Sequence, residues 1–465
     1  MRYISTRGEA AALEFDDVLL AGLARDGGLY MPERWPSLSL TGLSGLSYAE
    51  LAVRVMAPFM GDGIAAQGLE KAAHEAYAGF RHRAVAPLKQ LGSDRWLLEL
   101  FHGPTLAFKD YALQLVGRLF DQVLAGRDER VTIVGATSGD TGSAAMEALR
   151  DRQAIQVFIL FPHGRVSDVQ RRQMTTLGAS NVHALAIRGS FDDCQDLVKA
   201  MFNDRPFRDR MNLSAVNSIN WARIMAQIVY YVWAALALGA PGRRVAFAVP
   251  TGNFGNIFAA YAALRMGLPI ERLIIGSNRN DILTRLIRSG EMLMRPVEPS
   301  LSPSMDIQVS SNFERLLWEL MDRDGAAVAD SISRFRQEGS FRLDPDRAGR
   351  LGRLFSGHRL DDDGTLAVIA KTWRETGELI DPHTAVGLAA ADAARLEAGT
   401  AVVSLACAHP AKFPDAVYRA TGQHPALPRH LADLNERAER VSVLDNDLAQ
   451  VEDFVAGRAR LLGAA

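Results

Sequence analysis

Cysteine is almost absent: Cys194 and Cys407 are the only two in 465 residues, so neither a disulfide framework nor a zinc site built from thiolates is available. Net charge is almost absent too. A formal charge of -2 offers no basic field for nucleic acid or an anionic membrane surface, and neither is an expected partner. The longest apolar run, IVYYVWAALALGA over residues 228–240, is shorter than the ~20 residues of a membrane-spanning helix and reads as a buried core helix. The first ten residues carry charges where an export signal needs an apolar stretch, so the expected location is the cytoplasm. Lysine is scarce as well, at six of 52 basic side chains. A position that needs only positive charge here usually has arginine, which stays protonated. A lysine amine can be neutralised by its surroundings and act as a nucleophile.

Apolar residues make up 48% of the chain, enough to fill the two or three cores that its length suggests. Residues 1–90 alternate helical stretches with Gly/Pro breaks and read as an N-terminal module. From Trp96 the rhythm changes. Six β-branched or apolar runs, at 131–134, 156–160, 182–187, 244–249, 273–275 and 401–406, read as strands followed by Gly-rich turns and amphipathic helices. The class is α/β, with continuous apolar strands suited to sheets buried on both faces. Residues 91–420 form the α/β catalytic region in this reading, a small domain falling within about 100–215 and a large one taking the remainder. The charge-rich stretch 281–400 reads as a helical insertion, and 421–465 as a C-terminal helical tail.

Four loops have the composition to carry chemistry. Gly103-Pro-Thr-Leu-Ala-Phe-Lys-Asp110 leaves a Gly-Pro turn and enters an amphipathic run beginning at Tyr111. Lys109 then sits at a helix start, where the dipole disfavours a cation, and Leu106, Ala107 and Phe108 can desolvate its amine. The same pattern also suits a surface lysine paired with Asp110. Val134-Gly-Ala-Thr-Ser-Gly-Asp-Thr-Gly142 turns from a strand into a helix of small residues, whose first amides suit a carboxylate or phosphate. It has neither the Gly-Lys-Ser/Thr close of a Walker A loop nor the Rossmann glycine spacing. In Val249-Pro-Thr-Gly-Asn-Phe-Gly-Asn256 two glycines allow close backbone approach and two asparagines add donors, so a phosphate fits, as does a plain Asn-capped helix. The fourth loop brings Cys407, His409 and Lys412 to the carboxyl end of a strand, where open α/β sheets place their ligands.

Together with Met1-Arg-Tyr-Ile-Ser-Thr-Arg7, Asp26-Gly-Gly-Leu-Tyr-Met-Pro32 and Asn217-Ser-Ile-Asn-Trp-Ala-Arg223, these segments resemble the threonine synthases of bacteria and fungi, among the fold-type II pyridoxal-phosphate enzymes. The resemblance spans essentially the whole chain. It implies a tryptophan synthase β-like architecture of two open α/β domains around the cofactor, plus the N-terminal module. It also implies pyridoxal 5'-phosphate as cofactor and a carbon–oxygen lyase acting on phosphate. Such an enzyme converts O-phospho-L-homoserine and water to L-threonine and phosphate, the last step of threonine biosynthesis. On this resemblance Lys109 is catalytic and carries the cofactor as an imine, with Phe108 beside the ring. Gly252, Asn253, Phe254, Gly255 and Asn256 bind the cofactor phosphate, and Cys407 stands near the pyridine nitrogen where the family usually has threonine. Ser138, Gly139, Asp140 and Thr141 hold the substrate carboxylate. Arg223 and Lys412, with Asn217 and Ser218, hold the substrate phosphate. No metal is called for, and a monomer or homodimer acting on a small molecule is expected.

Overall fold

The computed structural model describes residues 1–215 and 218–459. All six runs read as strands are strands, within a few residues of the expected bounds. Ile155–Pro162, Val245–Pro250 and Ala401–Ala406 are buried along their whole length. Elements cover both faces of the sheets, so the side chains on either side of the pleat must be apolar.

One sheet is parallel throughout, in the order Ser442–Asp445, Val182–Arg188, Ile155–Pro162, Val131–Ala136, Leu213–Ser214. The other has the order Phe355–Arg359, Ile270–Ser277, Val245–Pro250, Ala401–Ala406, Arg95–Glu99, Leu88–Gln90, and only the last strand runs antiparallel to its neighbour. Strands Val245–Pro250, Ala401–Ala406 and Arg95–Glu99 are therefore adjacent and parallel though far apart in sequence. Their outgoing loops, three of the four singled out above, emerge side by side at one end of this sheet, the position at which open α/β sheets bind ligands.

The first 90 residues brace that end from behind. They form a small antiparallel sheet, in the order Leu13–Glu14, Arg2–Ser5, Tyr30–Pro32, and four helices that include Tyr48–Met60 and Leu69–Ala78. Ser47 and Glu50 cap Tyr48–Met60 reciprocally, and Leu51, Val55 and Phe59 recur at helical spacing on its buried side. The Tyr48 ring lies 4.7 Å from Tyr77, 5.9 Å from Tyr111 and 5.5 Å from Trp233, which belong to three different helices. The Tyr77 hydroxyl donates to the Tyr111 carbonyl at 3.1 Å, and Asn220, which caps helix Trp221–Ala237, donates to the Leu19 carbonyl at 2.8 Å. The module thus clamps the starts of helices Lys109–Arg127 and Trp221–Ala237. The latter contains most of the 228–240 run as expected, with Ile228, Val229, Tyr230, Tyr231 and Val232 all completely buried. Among the described residues no helix is long and apolar enough to cross a membrane.

Two expectations need correction. The stretch 281–400 is more than helical cover, because Phe355–Arg359 extends the larger sheet and Glu291–Leu293 pairs with Ser340–Arg342. Phe355–Arg359 is an edge strand in which only Phe355 is buried, so it carries no apolar run to betray it. Segment 421–465 is not purely helical either. Ser442–Asp445 adds an edge to the parallel sheet before helix Leu448–Ala456 covers it with Val451 and Val455. Four residues that alternate between half-buried and exposed have no strand signature until their partner is known.

Candidate active site

After strand Arg95–Glu99 the chain turns at Leu106, whose φ of 62° is left-handed. It then lies alongside the loop that follows Ala401–Ala406. Ala107 bridges Ala408, the Phe108 amide donates to the Cys407 carbonyl at 2.8 Å, and the His409 amide donates to the Leu106 carbonyl at 3.0 Å. Lys109 follows as the first residue of its helix. Its side chain is only 11% exposed, with Nζ 4.9 Å from the centre of the Phe108 ring. Burial draws the amine below its ordinary pKa; Asp140 opposes this, and Lys412 and Arg223 reinforce it. Asp110 is not its partner. That carboxylate is fully buried and accepts from the Thr105 amide at 2.8 Å and the Thr105 hydroxyl at 2.7 Å, while burial pushes its pKa up to about 6. Lys109 is therefore not a surface ion pair.

The partner comes from the second loop. The Thr137 hydroxyl accepts from the amides of Gly139 and Gly142 at 3.0 and 2.9 Å, which pins the turn. Gly139 has φ 143°, and a Cβ there would lie 2.5 Å from the Gln170 side chain. The turn makes Asp140 the first residue of helix Asp140–Leu149 and sets its carboxylate against two lysines. Oδ1 lies 2.7 Å from Lys412 Nζ and accepts from Gln170 at 2.8 Å; Oδ2 lies 3.6 Å from Lys109 Nζ. Burial alone would raise this carboxyl, but Lys412 and Lys109 hold it well below the usual range. An ionised Asp140 side chain repels a substrate carboxylate, and the Gly139 amide is already taken by Thr137. Ser138, Thr141 and the Asp140 backbone amide, which at a helix start has no intrahelical acceptor, are left as the donors of that set. Lys412 is wholly buried and donates inward to the Thr105 carbonyl at 2.8 Å, which does not suit it to clamp a substrate phosphate.

In the third loop Phe254 is left-handed at φ 64°, and helix Gly255–Arg265 begins without a side-chain cap. Its first amides lack an intrahelical acceptor and so remain available to an anion. A Cβ on Gly252 would lie 2.8 Å from the Ser304 carbonyl, so only glycine permits this approach. The Phe254 ring is buried against Phe313 and Phe355. The Asn256 side chain accepts from the Tyr230 and Tyr231 hydroxyls and reaches Cys407 Sγ with its amide nitrogen at 3.7 Å. Both side chains shape the loop from inside, whereas Asn253 is exposed. Burial raises the Cys407 thiol, which stays protonated.

Arg223, near the start of helix Trp221–Ala237, is 3% exposed, and its Nε and Nη1 have no hydrogen-bond partner among the described residues. Burial draws its pKa down to about 10. An unpaired buried guanidinium is unfavourable by roughly 3 kcal/mol, a penalty that an arriving anion offsets. Ser218 is half-buried and its carbonyl accepts from Asn312 Nδ2 at 3.1 Å; Asn217 lies outside the described residues. Sequence reasoning missed Thr105, Gln170 and Ser304. Gln170 and Ser304 reach Asp140 across 30 and 164 residues from segments without a glycine-rich turn, so no local signal marks them.

His409 caps the short helix Pro410–Lys412, its Nδ1 accepting from the Ala411 amide at 3.1 Å, and burial draws its pKa to about 4. The unfolded chain binds a proton near pH ~6.5 that the folded state refuses, so stability is lost as pH falls from there through about 4. His183 titrates in the same window. His409→Asn keeps an acceptor for Ala411 and should shrink, without abolishing, the drop in urea midpoint between about pH 7.5 and about pH 5. An undiminished drop would show that His409 does not contribute.

Three family comparisons match along the chain: threonine synthase N terminus over residues 2–77, pyridoxal-phosphate dependent enzyme over 81–333, and threonine synthase C-terminal over 384–455. The chain is 57% identical to a threonine synthase of Pseudomonas aeruginosa over 460 residues, 98% of each chain. The crystal structure of PLP-bound threonine synthase from Brucella melitensis superposes with a TM-score of 0.97 at 55% identity, covering 99% of this chain and 100% of that one. Threonine synthase from yeast superposes at 0.92 and 38% identity, with 98% of each chain covered. The fold-type II architecture implied by the motifs is the one observed, and the chain belongs to the threonine synthase family of pyridoxal-phosphate-dependent enzymes.

Proposed function

We propose that this chain converts O-phospho-L-homoserine and water to L-threonine and phosphate with pyridoxal 5'-phosphate. The observation that carries the reading is a pair of anion sites beside one buried amine. These are the uncapped start of helix Gly255–Arg265 and Arg223, whose Nε and Nη1 have no partner among the described residues, with Lys109 held at lowered basicity. A phosphorylated substrate handled by a phosphorylated cofactor needs two such sites. The names of the relatives support the same activity.

The residues fit the cofactor. The amides after Phe254 suit its phosphate, Phe108 flanks the lysine, and the neutral Cys407 thiol can partner a ring nitrogen, more weakly than a hydroxyl would. When bound, pyridoxal phosphate supplies an electron sink for negative charge at substrate carbon. Lys109 attaches the group and, once released, moves protons at the substrate α and β carbons. Ser138 and Thr141 hold the substrate carboxylate. Arg223, with Ser218 and Asn217, holds the phosphate and stabilises its charge as it leaves. Loops from the two sheets exclude stray water while this happens. In this reading the chain works in the cytoplasm as a monomer or homodimer, with module 1–90, catalytic region 91–420 and C-terminal segment 421–465.

Protein reconstituted with cofactor should release phosphate and threonine in equal amounts from O-phospho-L-homoserine, and nothing from homoserine. Absence of phosphate release from the first compound overturns the assignment.

A further inference from the structure

Only two of the six lysines are withdrawn from solvent, Lys109 and Lys412, and both face Asp140; the other four are exposed. The sharing is unequal. Lys412 Nζ holds Oδ1 at 2.7 Å, with Gln170 on the same oxygen at 2.8 Å, and donates a further bond to the Thr105 carbonyl at 2.8 Å. Lys109 Nζ stands 3.6 Å from Oδ2, beyond a good hydrogen bond, and Ser304 Oγ approaches that oxygen at 3.4 Å.

The groups whose charges act on the Lys109 amine are Asp140 from one helix, at 3.6 Å, Lys412 and Cys407 from the loop after Ala401–Ala406, and Arg223 from another helix. With the thiol protonated and both lysines charged, three buried cations would meet two buried carboxylates, Asp140 and the neighbouring Asp110, whose oxygens are taken by Thr105. Losing one proton relieves that excess. Lys412 has both its acceptors in place, Asp140 and Thr105. Lys109 is the one without a close acceptor.

We propose that Lys412 is a positioning residue that occupies Asp140 and thereby keeps the Lys109 amine neutral and nucleophilic, in place of the substrate-phosphate contact that its charge suggested. This rests on the reading of Lys109 as the reactive amine. The lowered basicity of Lys109, with Lys412 among its causes, agrees. A second cation beside a reactive lysine is a general means of activating it.

The two single variants should move Lys109 in opposite directions, which a loss of packing cannot do. In Lys412→Met a cation disappears and Asp140 is freed to close on Lys109, so its amine becomes more basic by about one to three pH units. In Asp140→Asn the largest influence holding the proton on is removed, so the amine becomes less basic. The full-length chain, freed of cofactor, is treated with acetic anhydride across a pH series. The acetylation rate is read from the mass of the peptide containing Lys109, with folding of each variant checked by its thermal midpoint. Midpoints displaced upward in Lys412→Met and downward in Asp140→Asn support the proposal. Displacement of both in one direction, or of neither, overturns it. If Lys412→Met does not fold, an Asp140→Asn midpoint that stays or rises overturns it alone, and one that falls supports it. Because no substrate is present, this outcome is independent of whether O-phospho-L-homoserine is turned over.

Discussion

Lys109→Ala is expected to lower turnover by a factor on the order of 10⁴ or more while leaving the fold intact. No neighbour can replace it. Lys412, the only other buried lysine, is bound to Asp140 and Thr105, and Arg223 stays protonated at any working pH. Stability should change by less than about 1 kcal/mol, because Lys109 has no close hydrogen bond to lose: it stands 3.6 Å from Asp140 Oδ2, which keeps Ser304 Oγ at 3.4 Å, while Oδ1 keeps Lys412 and Gln170 at 2.7 and 2.8 Å. Removing a desolvated amine also removes its desolvation penalty. With cofactor added, the visible absorbance of a lysine imine should vanish while the thermal midpoint persists. Residual turnover above about 1% of the parent would place the reactive amine elsewhere.

The sequence made the fold readable where burial is two-sided. Each fully buried parallel strand appears as a continuous apolar run, and the Gly-rich turns after them locate the loops, because close backbone approach demands glycine whatever the rest of the chain does. Edge strands such as Phe355–Arg359 and Ser442–Asp445 were opaque, since their character comes from a partner and not from composition. The site divides in the same way. Lys109 and the 252–256 loop could be found locally. The orientation of Asp140 and Lys412 could not, because it is decided by Thr105, Gln170 and Ser304, brought together only by topology. Chemical type alone put Lys412 with the anion binders, and burial turned it inward.

Arg223→Met is expected to separate activity from stability. A guanidinium that tied the fold together would have partners, but Nε and Nη1 have none among the described residues. Replacing it with an apolar chain of similar length removes an unpaired buried charge, so the thermal midpoint should hold or rise. Activity should move the other way. Losing a desolvated charge-assisted contact to a phosphate is worth roughly 2 to 5 kcal/mol, which lowers kcat/KM for O-phospho-L-homoserine about 30- to 4,000-fold. The effect should reach both kcat and KM, because the contact binds the ester and then stabilises the charge that builds on the leaving group. Cofactor absorbance provides the control. It should be unchanged, since the start of helix Gly255–Arg265 serves the cofactor phosphate in this reading. Loss of absorbance would reassign Arg223 to the cofactor. A large fall in thermal midpoint would make it a structural residue, and either result would leave the substrate phosphate to be bound by other groups.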